Sequence, residues 1–140
     1  MTELSSEVVA LHYNQETGRF NELATVSALP SEFDGDSYGS AIHLSADGRF
    51  VYVANRGHNS IACFKIDAES GKLAAVEHTA TGGDWPRDFV LDPTGTYLIA
   101  ANQNSNTLVL FGRDAETGRL ELLQADVHVP EPVCVTFLNK

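Results

Sequence analysis

The sequence of 140 residues predicts an all-β fold, a partial β-propeller, on the basis of three observations. A shift of 47 residues aligns Tyr38–Thr81 with Trp85–His128 without a gap, and 11 of these 44 positions are identical. Each copy contains four short apolar or alternating segments separated by turns. No stretch combines a helical period with capping residues at both ends. Four strands in a repeat of this length are typical of a propeller blade.

The four strands of the unit are predicted from its turns and its apolar segments. Gly48 and Gly95 are the last residues of turns whose conformations favour glycine, and each turn precedes an apolar segment. The apolar segment Phe50–Ala54 does not alternate, which predicts a strand covered on both faces. In the first copy the predicted strands are Ala41–Leu44, Phe50–Ala54, Ser60–Ile66 and one that begins at Leu73.

The two ends of the chain match parts of the same unit. Val8–Ser27 matches the third and fourth strands, so it predicts the outer hairpin of a blade. Residues 132–138 match the first strand, which predicts a final inner strand. The chain is therefore expected to form two complete four-stranded blades, Tyr38–Thr81 and Trp85–Val129, between an outer hairpin and an inner strand.

Composition excludes several classes of partner. The net charge of −10 opposes nucleic-acid binding, which requires a basic surface. No apolar run is long enough to span a bilayer and no signal-peptide pattern is present, so we expect no membrane partner and a cytoplasmic location. Cys63 and Cys134 lie in predicted apolar strands, which favours buried thiols over a disulfide. No metal-ligand spacing occurs, and neither a metal nor a cofactor is expected.

Several segments carry a resemblance to a known family. The sequence resembles the lactonase family of seven-bladed β-propellers, which includes 6-phosphogluconolactonases and carboxy-muconate cyclases. The resemblance lies in Gly39–Asn59, Pro86–Phe89, Gly95–Gln103 and Pro132–Val135. The resemblance implies that the chain is the C-terminal part of a seven-bladed β-propeller. It also implies a small-molecule sugar lactone as the substrate, most specifically 6-phosphogluconolactone, which would be hydrolysed to 6-phosphogluconate.

The internal repeat serves as a control for candidate site residues. Two asparagines are shared by the copies: Asn55 aligns with Asn102, and Asn59 aligns with Asn106. Their presence in both copies favours a role in stabilising loops. Six polar residues differ between the copies, and most of them are expected near one mouth of the propeller channel. They are His43, Arg56, His58, Arg87, Asp88 and Gln103.

Each of the six has an expected role and a structural alternative. Arg56 and Arg87 would bind a phosphate or carboxylate, and the same two arginines would also stabilise the oxyanion formed when the lactone opens. His43 or His58 would act as general base on water. Asp88 and Gln103 complete the predicted substrate-binding set. Alternatively, these side chains pair with acids, hydrogen-bond in the core, orient a neighbour or cap loops.

Two other functions compete with lactone hydrolysis. The chain could be a non-catalytic segment that binds a ligand or a protein, because propellers are common interaction platforms and a fold does not determine a function. It could also belong to a muconate-type cyclase that forms a lactone. An open row of blades exposes apolar faces at both ends, so self-association or pairing with missing blades is expected.

Overall fold

The computed structural model describes residues 1–138, and these residues form ten β-strands and no helix. The strands are β1 (Glu7–Asn14), β2 (Arg19–Ser27), β3 (Tyr38–Leu44), β4 (Phe50–Arg56), β5 (Ser60–Ile66), β6 (Leu73–Ala80), β7 (Pro86–Leu91), β8 (Tyr97–Asn102), β9 (Thr107–Arg113) and β10 (Leu120–His128).

The strands form three antiparallel sheets in which each strand pairs with its neighbour in sequence. β1 and β2 form a hairpin, β3–β6 form the first four-stranded sheet, and β7–β10 form the second. The two large sheets have the same order of strands, from β3 and β7 at one edge to β6 and β10 at the other. The predicted all-β class is confirmed.

The sheets stack as layers with an apolar core on each side of the first large sheet. Phe50 and Tyr52 of β4 pack towards the second sheet, where they meet Phe89 and Phe111. The intervening residues of β4, Val51 and Val53, pack with residues of the hairpin. Successive side chains of a strand point to opposite faces, so β4 contributes to both cores. The prediction that Phe50–Ala54 is covered on both faces is confirmed.

The repeated asparagines connect one sheet to the next. Asn55 Nδ2 donates to the carbonyl of Ala28 at 2.7 Å, and Asn102 Nδ2 donates to that of Thr81 at 3.1 Å. Asn59 Oδ1 accepts a hydrogen bond from the amide of Trp85 at 2.9 Å. Asn106 Oδ1 likewise accepts one from the amide of Glu131 at 2.8 Å. The predicted role of these asparagines in loop stabilisation is confirmed.

Thr2 and Glu3, which precede β1, occupy the position in the hairpin layer that the end of β4 occupies in the first large sheet. The amide of Thr2 donates to the carbonyl of Glu7 at 2.8 Å, and the amide of Gly39 donates to that of Glu3 at 2.8 Å. The Thr2–Glu7 pair lies 53 residues before the Asn55–Ser60 pair that joins β4 to β5. By the same spacing, Glu3 occupies the position in the hairpin layer that Arg56 occupies in the first large sheet.

Two predictions about the end of the chain are wrong. Residues 132–138 form no strand, because no described residue offers a second strand with which they could form a ladder. Cys134 is exposed rather than buried, since no sheet covers this segment. Cys63 on β5 is buried as predicted, and both thiols are free.

Candidate active-site cleft

A small polar cleft lies where the start of the chain meets the two large sheets. Its volume is about 220 Å³, and its lining consists of Met1, Glu3, Gly39, Ser40, Arg56 and Arg87. We call it the arginine cleft. β3 and β7, the neighbouring edge strands of the two sheets, supply Ser40 and Arg87, and β4 ends at Arg56. The cleft therefore collects residues from three layers of the structure.

Arg56 is a buried arginine with an incomplete set of partners. Only 5% of the residue is exposed. Its Nη2 donates to Glu3 Oε1 at 2.5 Å and to the carbonyl of Gly39 at 3.1 Å. Its Nε is buried without a hydrogen-bond partner among the described residues. A buried donor without a partner costs free energy. Nη1 makes no hydrogen bond to any described residue and is not among the buried unpaired atoms, so this nitrogen is the donor that remains for a ligand in the cleft.

Glu3 is the carboxylate of the cleft. The hydrogen bond with Arg56 lowers the pKa of the Glu3 carboxyl, and the charge of Arg56 lowers it further. Burial raises this pKa by a smaller amount, and the charge of Arg87 lowers it by less still. The side chain of Glu3 is 62% exposed. Glu3 is therefore an accessible anion at neutral pH, next to two guanidinium groups.

Arg87 and Ser40 come from neighbouring strands and differ in their surroundings. Arg87 is exposed, and no residue between 1 and 138 forms an ion pair with it. Ser40 Oγ donates to the carbonyl of Pro86 at 2.7 Å and thereby joins β3 to β7 beside the cleft. Two arginines and one carboxylate give the cleft a local charge of +1, in a chain whose net charge is −10. Such a cleft attracts anions.

His43 lies on a different surface. It is exposed on β3, and its ring contacts that of Phe89 with 4.9 Å between the centroids. It lines an apolar groove of about 620 Å³ between the hairpin and the first large sheet, which we call the hairpin groove. Val8, Leu44 and Leu73 are among the other residues of this groove. The structure does not bring His43 together with the arginines.

His58 lies in an aromatic cluster on the loop after β4. Its ring centroid is 4.6 Å from that of Phe33 and 6.1 Å from that of His78. Its Nδ1 lies 2.7 Å from Ser60 Oγ. Burial lowers the pKa of His58, the nearby His78 lowers it further, and Glu32 opposes both effects. His58 is thus neutral at pH 7 but stands outside the lining of the arginine cleft.

Asp88 and Gln103 also lie outside this lining. Asp88 Oδ2 accepts a hydrogen bond from the amide of Val135 at 2.9 Å, so this carboxylate holds the C-terminal segment. The backbone amide of Gln103 donates to the carbonyl of Trp85 at 3.0 Å, which places Gln103 in the loop that follows β8. Of the six predicted residues, the structure brings only Arg56 and Arg87 into one cleft.

Glu3 was missed by the sequence comparison, although a signal for it exists. The hairpin matches the first large sheet at a shift of 53 residues, and extending that match towards the start of the chain aligns Glu3 with Arg56 and hence with Gln103. Three successive layers therefore carry Glu, Arg and Gln at one position. A carboxylate beside an arginine could have been predicted from this series.

Between residues 1 and 138, no group of three or more His, Cys, Asp or Glu side chains is placed to hold a metal ion. Those residues also contain no helix with the length and apolar character that crossing a membrane requires.

The family model that matches this sequence decides its classification. The model describes a lactonase with a seven-bladed β-propeller, and it matches residues 1–137. The chain belongs to the lactonase family of seven-bladed β-propellers. The resemblance inferred from the sequence motifs and the partial propeller fold are both confirmed.

Individual relatives agree with the family assignment. A Bacillus subtilis (strain 168) protein named 6-phosphogluconolactonase is 59% identical over 140 residues, which are 100% of this chain and 40% of that protein. A crystal structure of a Lactobacillus plantarum protein superposes with a TM-score of 0.94 at 45% identity and covers 98% of this chain and 40% of its own.

A third relative is named for a related activity. The periplasmic gluconolactonase of Pseudomonas aeruginosa superposes with a TM-score of 0.90 at 39% identity, over 98% of this chain and 38% of its own. The present chain thus spans about 40% of the length of the relatives it matches.

Proposed function

We propose that this chain is part of a sugar-lactone hydrolase whose substrate is 6-phosphogluconolactone and whose product is 6-phosphogluconate. The observation that carries the proposal is the arginine cleft, where Glu3, Arg56 and Arg87 combine two cations with one accessible carboxylate. The name of the Bacillus subtilis relative supports the choice of substrate. The cytoplasmic location expected from the sequence stays a prediction.

The proposed chemistry divides the three side chains by role. Water attacks the lactone carbonyl carbon, and Glu3 accepts the proton of that water. Arg56 donates hydrogen bonds to the oxyanion that forms on the carbonyl oxygen. The bond between this carbon and the ring oxygen then breaks, and the ring oxygen takes up the proton held by Glu3. The resulting carboxylic acid releases its own proton to solvent and becomes a carboxylate. Arg87, which is exposed and unpaired among the described residues, binds the phosphate.

The repeat supplies the substitutions that test this assignment. Arg56→Gln copies Gln103, and Arg87→Ser copies Ser40. Each should lower kcat/KM for 6-phosphogluconolactone by roughly 30-fold to several thousand-fold, because losing one partner of a desolvated charge pair costs about 2–5 kcal/mol. Arg87→Ser should affect gluconolactone, which has no phosphate, much less than Arg56→Gln does.

The assay is run on this chain and on a chimera in which the chain replaces the matching 40% of the Bacillus subtilis relative. Proton release is followed against the spontaneous hydrolysis of the lactone, and melting temperatures are recorded for every variant. His58→Ser and His43→Val, which copy Ser105 and Val90, test the histidine assignments made from sequence. If both arginine variants of the active chimera hydrolyse lactone at the parent rate, the proposed site is wrong.

A non-catalytic role for the isolated chain is the second candidate. It is favoured by one observation, that the chain spans 40% of its enzyme relative. In that case the chimera would hydrolyse lactone whereas the chain alone would only bind the product.

A further inference from the structure

Two aromatic rings flank the guanidinium of Arg56. The Arg56 Cζ atom is 5.4 Å from the ring centroid of Trp85 and 5.9 Å from that of Tyr38. The centroids of the two rings are 6.0 Å apart, with 50° between the ring planes. A cation within about 6 Å of an aromatic face is attracted by the ring, and the attraction grows when the cation is removed from water. Arg56, at 5% exposed, meets both conditions.

The two rings occupy the same position in successive sheets. Tyr38 begins the first copy of the 47-residue repeat and Trp85 begins the second, and the corresponding residue after the second sheet is Glu131. The counterpart of Arg56 is Gln103, a neutral residue. The combination of an arginine with an aromatic residue at the start of each adjoining sheet therefore occurs at the arginine cleft and not at the equivalent place one repeat later.

The backbone fixes the position of Trp85. This residue has φ of 63°, in the left-handed region that a bulky residue adopts rarely. Asn59 holds it there, because its Oδ1 accepts the amide of Trp85 at 2.9 Å and its Nδ2 donates to Asp84 Oδ1 at 2.8 Å. Glu131 has φ of 43°, and its amide likewise donates to Asn106 Oδ1, so this backbone arrangement occurs in both repeats. The indole ring is the feature that distinguishes the arginine cleft.

We propose that Trp85 and Tyr38 are positioning residues that hold the guanidinium of Arg56 in the orientation required for anion binding in the arginine cleft. This inference rests on the proposed function, because it assumes that the anion of a sugar acid or lactone binds there. The rings restrict the guanidinium plane, while Glu3 and the carbonyl of Gly39 occupy Nη2. A pre-organised donor loses less conformational entropy when a ligand binds.

The first experiment needs no ligand. In the NMR spectrum of the intact chain, the Nε–H proton of Arg56 should be shifted by the ring current of the indole. Trp85→Leu should abolish this shift, whereas Trp85→Phe should retain part of it. Trp85 is the single tryptophan of the chain, so Arg56→Gln should also change the tryptophan emission of a protein that keeps its far-ultraviolet circular dichroism. An unchanged Nε–H resonance in folded Trp85→Leu overturns the inference.

The second experiment measures binding of 6-phosphogluconate by calorimetry. Trp85→Leu should weaken binding by roughly 2- to 30-fold, the range expected for one cation–π contact. Trp85→Phe should restore most of the affinity, and Tyr38→Leu should weaken binding in the same direction. Tyr97→Leu is the matched control, because Tyr97 is 43% exposed on β8 and does not line the cleft.

The two experiments distinguish failure of the proposed function from failure of the positioning role. If the parent chain and the chimera neither bind 6-phosphogluconate nor hydrolyse the lactone while the ring-current shift depends on Trp85, the proposed function is wrong and the contact of Arg56 with the indole ring is confirmed. If both bind it and Trp85→Leu binds as tightly as the parent, the positioning role is wrong. If Trp85→Leu does not fold, the comparison of Trp85→Phe and Tyr38→Leu with the parent decides the question by the same criteria.

Discussion

At the scale of single residues, two buried arginines show how a structural side chain differs from one available to a ligand. Arg113 donates from Nε to the hydroxyl of Tyr52 at 2.8 Å, from Nη1 to the carbonyl of Gly95 at 3.0 Å and from Nη2 to Asp47 at 3.3 Å. All three of its nitrogens thus have partners, and they join the two large sheets. Arg56 has a buried Nε without one, and its Nη1, which is not among the buried unpaired atoms, makes no hydrogen bond to any described residue. The difference supports a ligand-binding role for Arg56 rather than a purely structural one.

The two cysteines should differ sharply in their reactivity towards thiol reagents. Burial raises the pKa of Cys63 to about 11, so this thiol should react only when the chain unfolds. Cys134 is exposed, but its hydrogen bond with Asp88, together with the charge of that carboxylate, raises the pKa of its thiol. Asp88→Asn should lower this pKa and speed modification of Cys134 at pH 8, because more thiolate is present.

The rates are followed with a chromogenic disulfide in native buffer and in denaturant. Cys134→Ser identifies the fast thiol and Cys63→Ser the protected one. Equal rates for the Asp88→Asn variant and the parent would show that the carboxylate does not control this thiol.

Part of the site was predictable at this scale, and the reason is physical. Arg56 and Arg87 stood out because their repeat counterparts are uncharged, and both line one cleft. His43 stood out by the same rule but faces the hairpin groove. The comparison of repeats finds residues that the scaffold does not require, whereas the direction of a side chain depends on strand register. The sequence alone does not provide that register.

At the scale of elements, tight turns determine where the strands end. Gly118 precedes β10 with φ of 77°, and its carbonyl accepts hydrogen bonds from the Tyr52 hydroxyl at 2.7 Å and from the Cys63 thiol at 3.4 Å. A Cβ atom there would lie 3.0 Å from Cys63 Sγ and closer still to the ring of Phe50. The turn of the second sheet is therefore packed directly on the core of the first.

Gly118→Ala should be much more destabilising than Gly18→Ala. Gly18 has a similar φ of 67°, but a Cβ atom there would meet nothing within 4 Å. Both variants carry the cost of a left-handed alanine, and Gly118→Ala adds overpacking of about 1–3 kcal/mol. Free energies of unfolding from urea titrations give the difference between the two variants. A difference near zero would mean that the Phe50 ring moves aside at little cost.

Element prediction succeeded where local sequence is sufficient and failed where pairing is required. The turns and the apolar segments located β3–β10 because each strand has its partner nearby in sequence. Residues 132–138 have the sequence of an inner strand, yet they form none. A strand exists only with hydrogen-bonding partners, and a pattern within the segment does not show whether a partner is present.

At the scale of the whole molecule, the stack of sheets has two uncovered ends. At the hairpin end, β1 pairs only with β2, and Leu11 and Leu44 are 51% and 61% exposed. At the other end, Leu122 and Leu123 of β10 are 54% and 51% exposed. Unpaired strand edges beside apolar surface are templates for pairing with another chain. Within the described residues, the fold thus lacks the closure that protects the edges of a complete propeller.

The isolated chain should therefore self-associate, and a charge at the open edge should reduce the association. The carbonyl of Glu7 accepts the amide of Thr2 on the side of β1 that faces away from β2, and alternate residues of a strand direct their backbone groups to the same side, so the backbone groups of Leu11 also point to this open edge. Leu11→Lys places a charge on the apolar groove beside this open edge, and a second chain that covers the groove would bury the charge without a partner, which is costly. Leu4→Lys is the matched control, because Leu4 is 81% exposed in a turn and the substitution makes the same change in net charge.

Sedimentation velocity over a range of concentrations measures the association. The parent and Leu4→Lys should form assemblies that Leu11→Lys forms less readily. A parent chain that stays monomeric at the highest concentration, or two lysine variants that behave alike, would show that the open edge of β1 does not drive association.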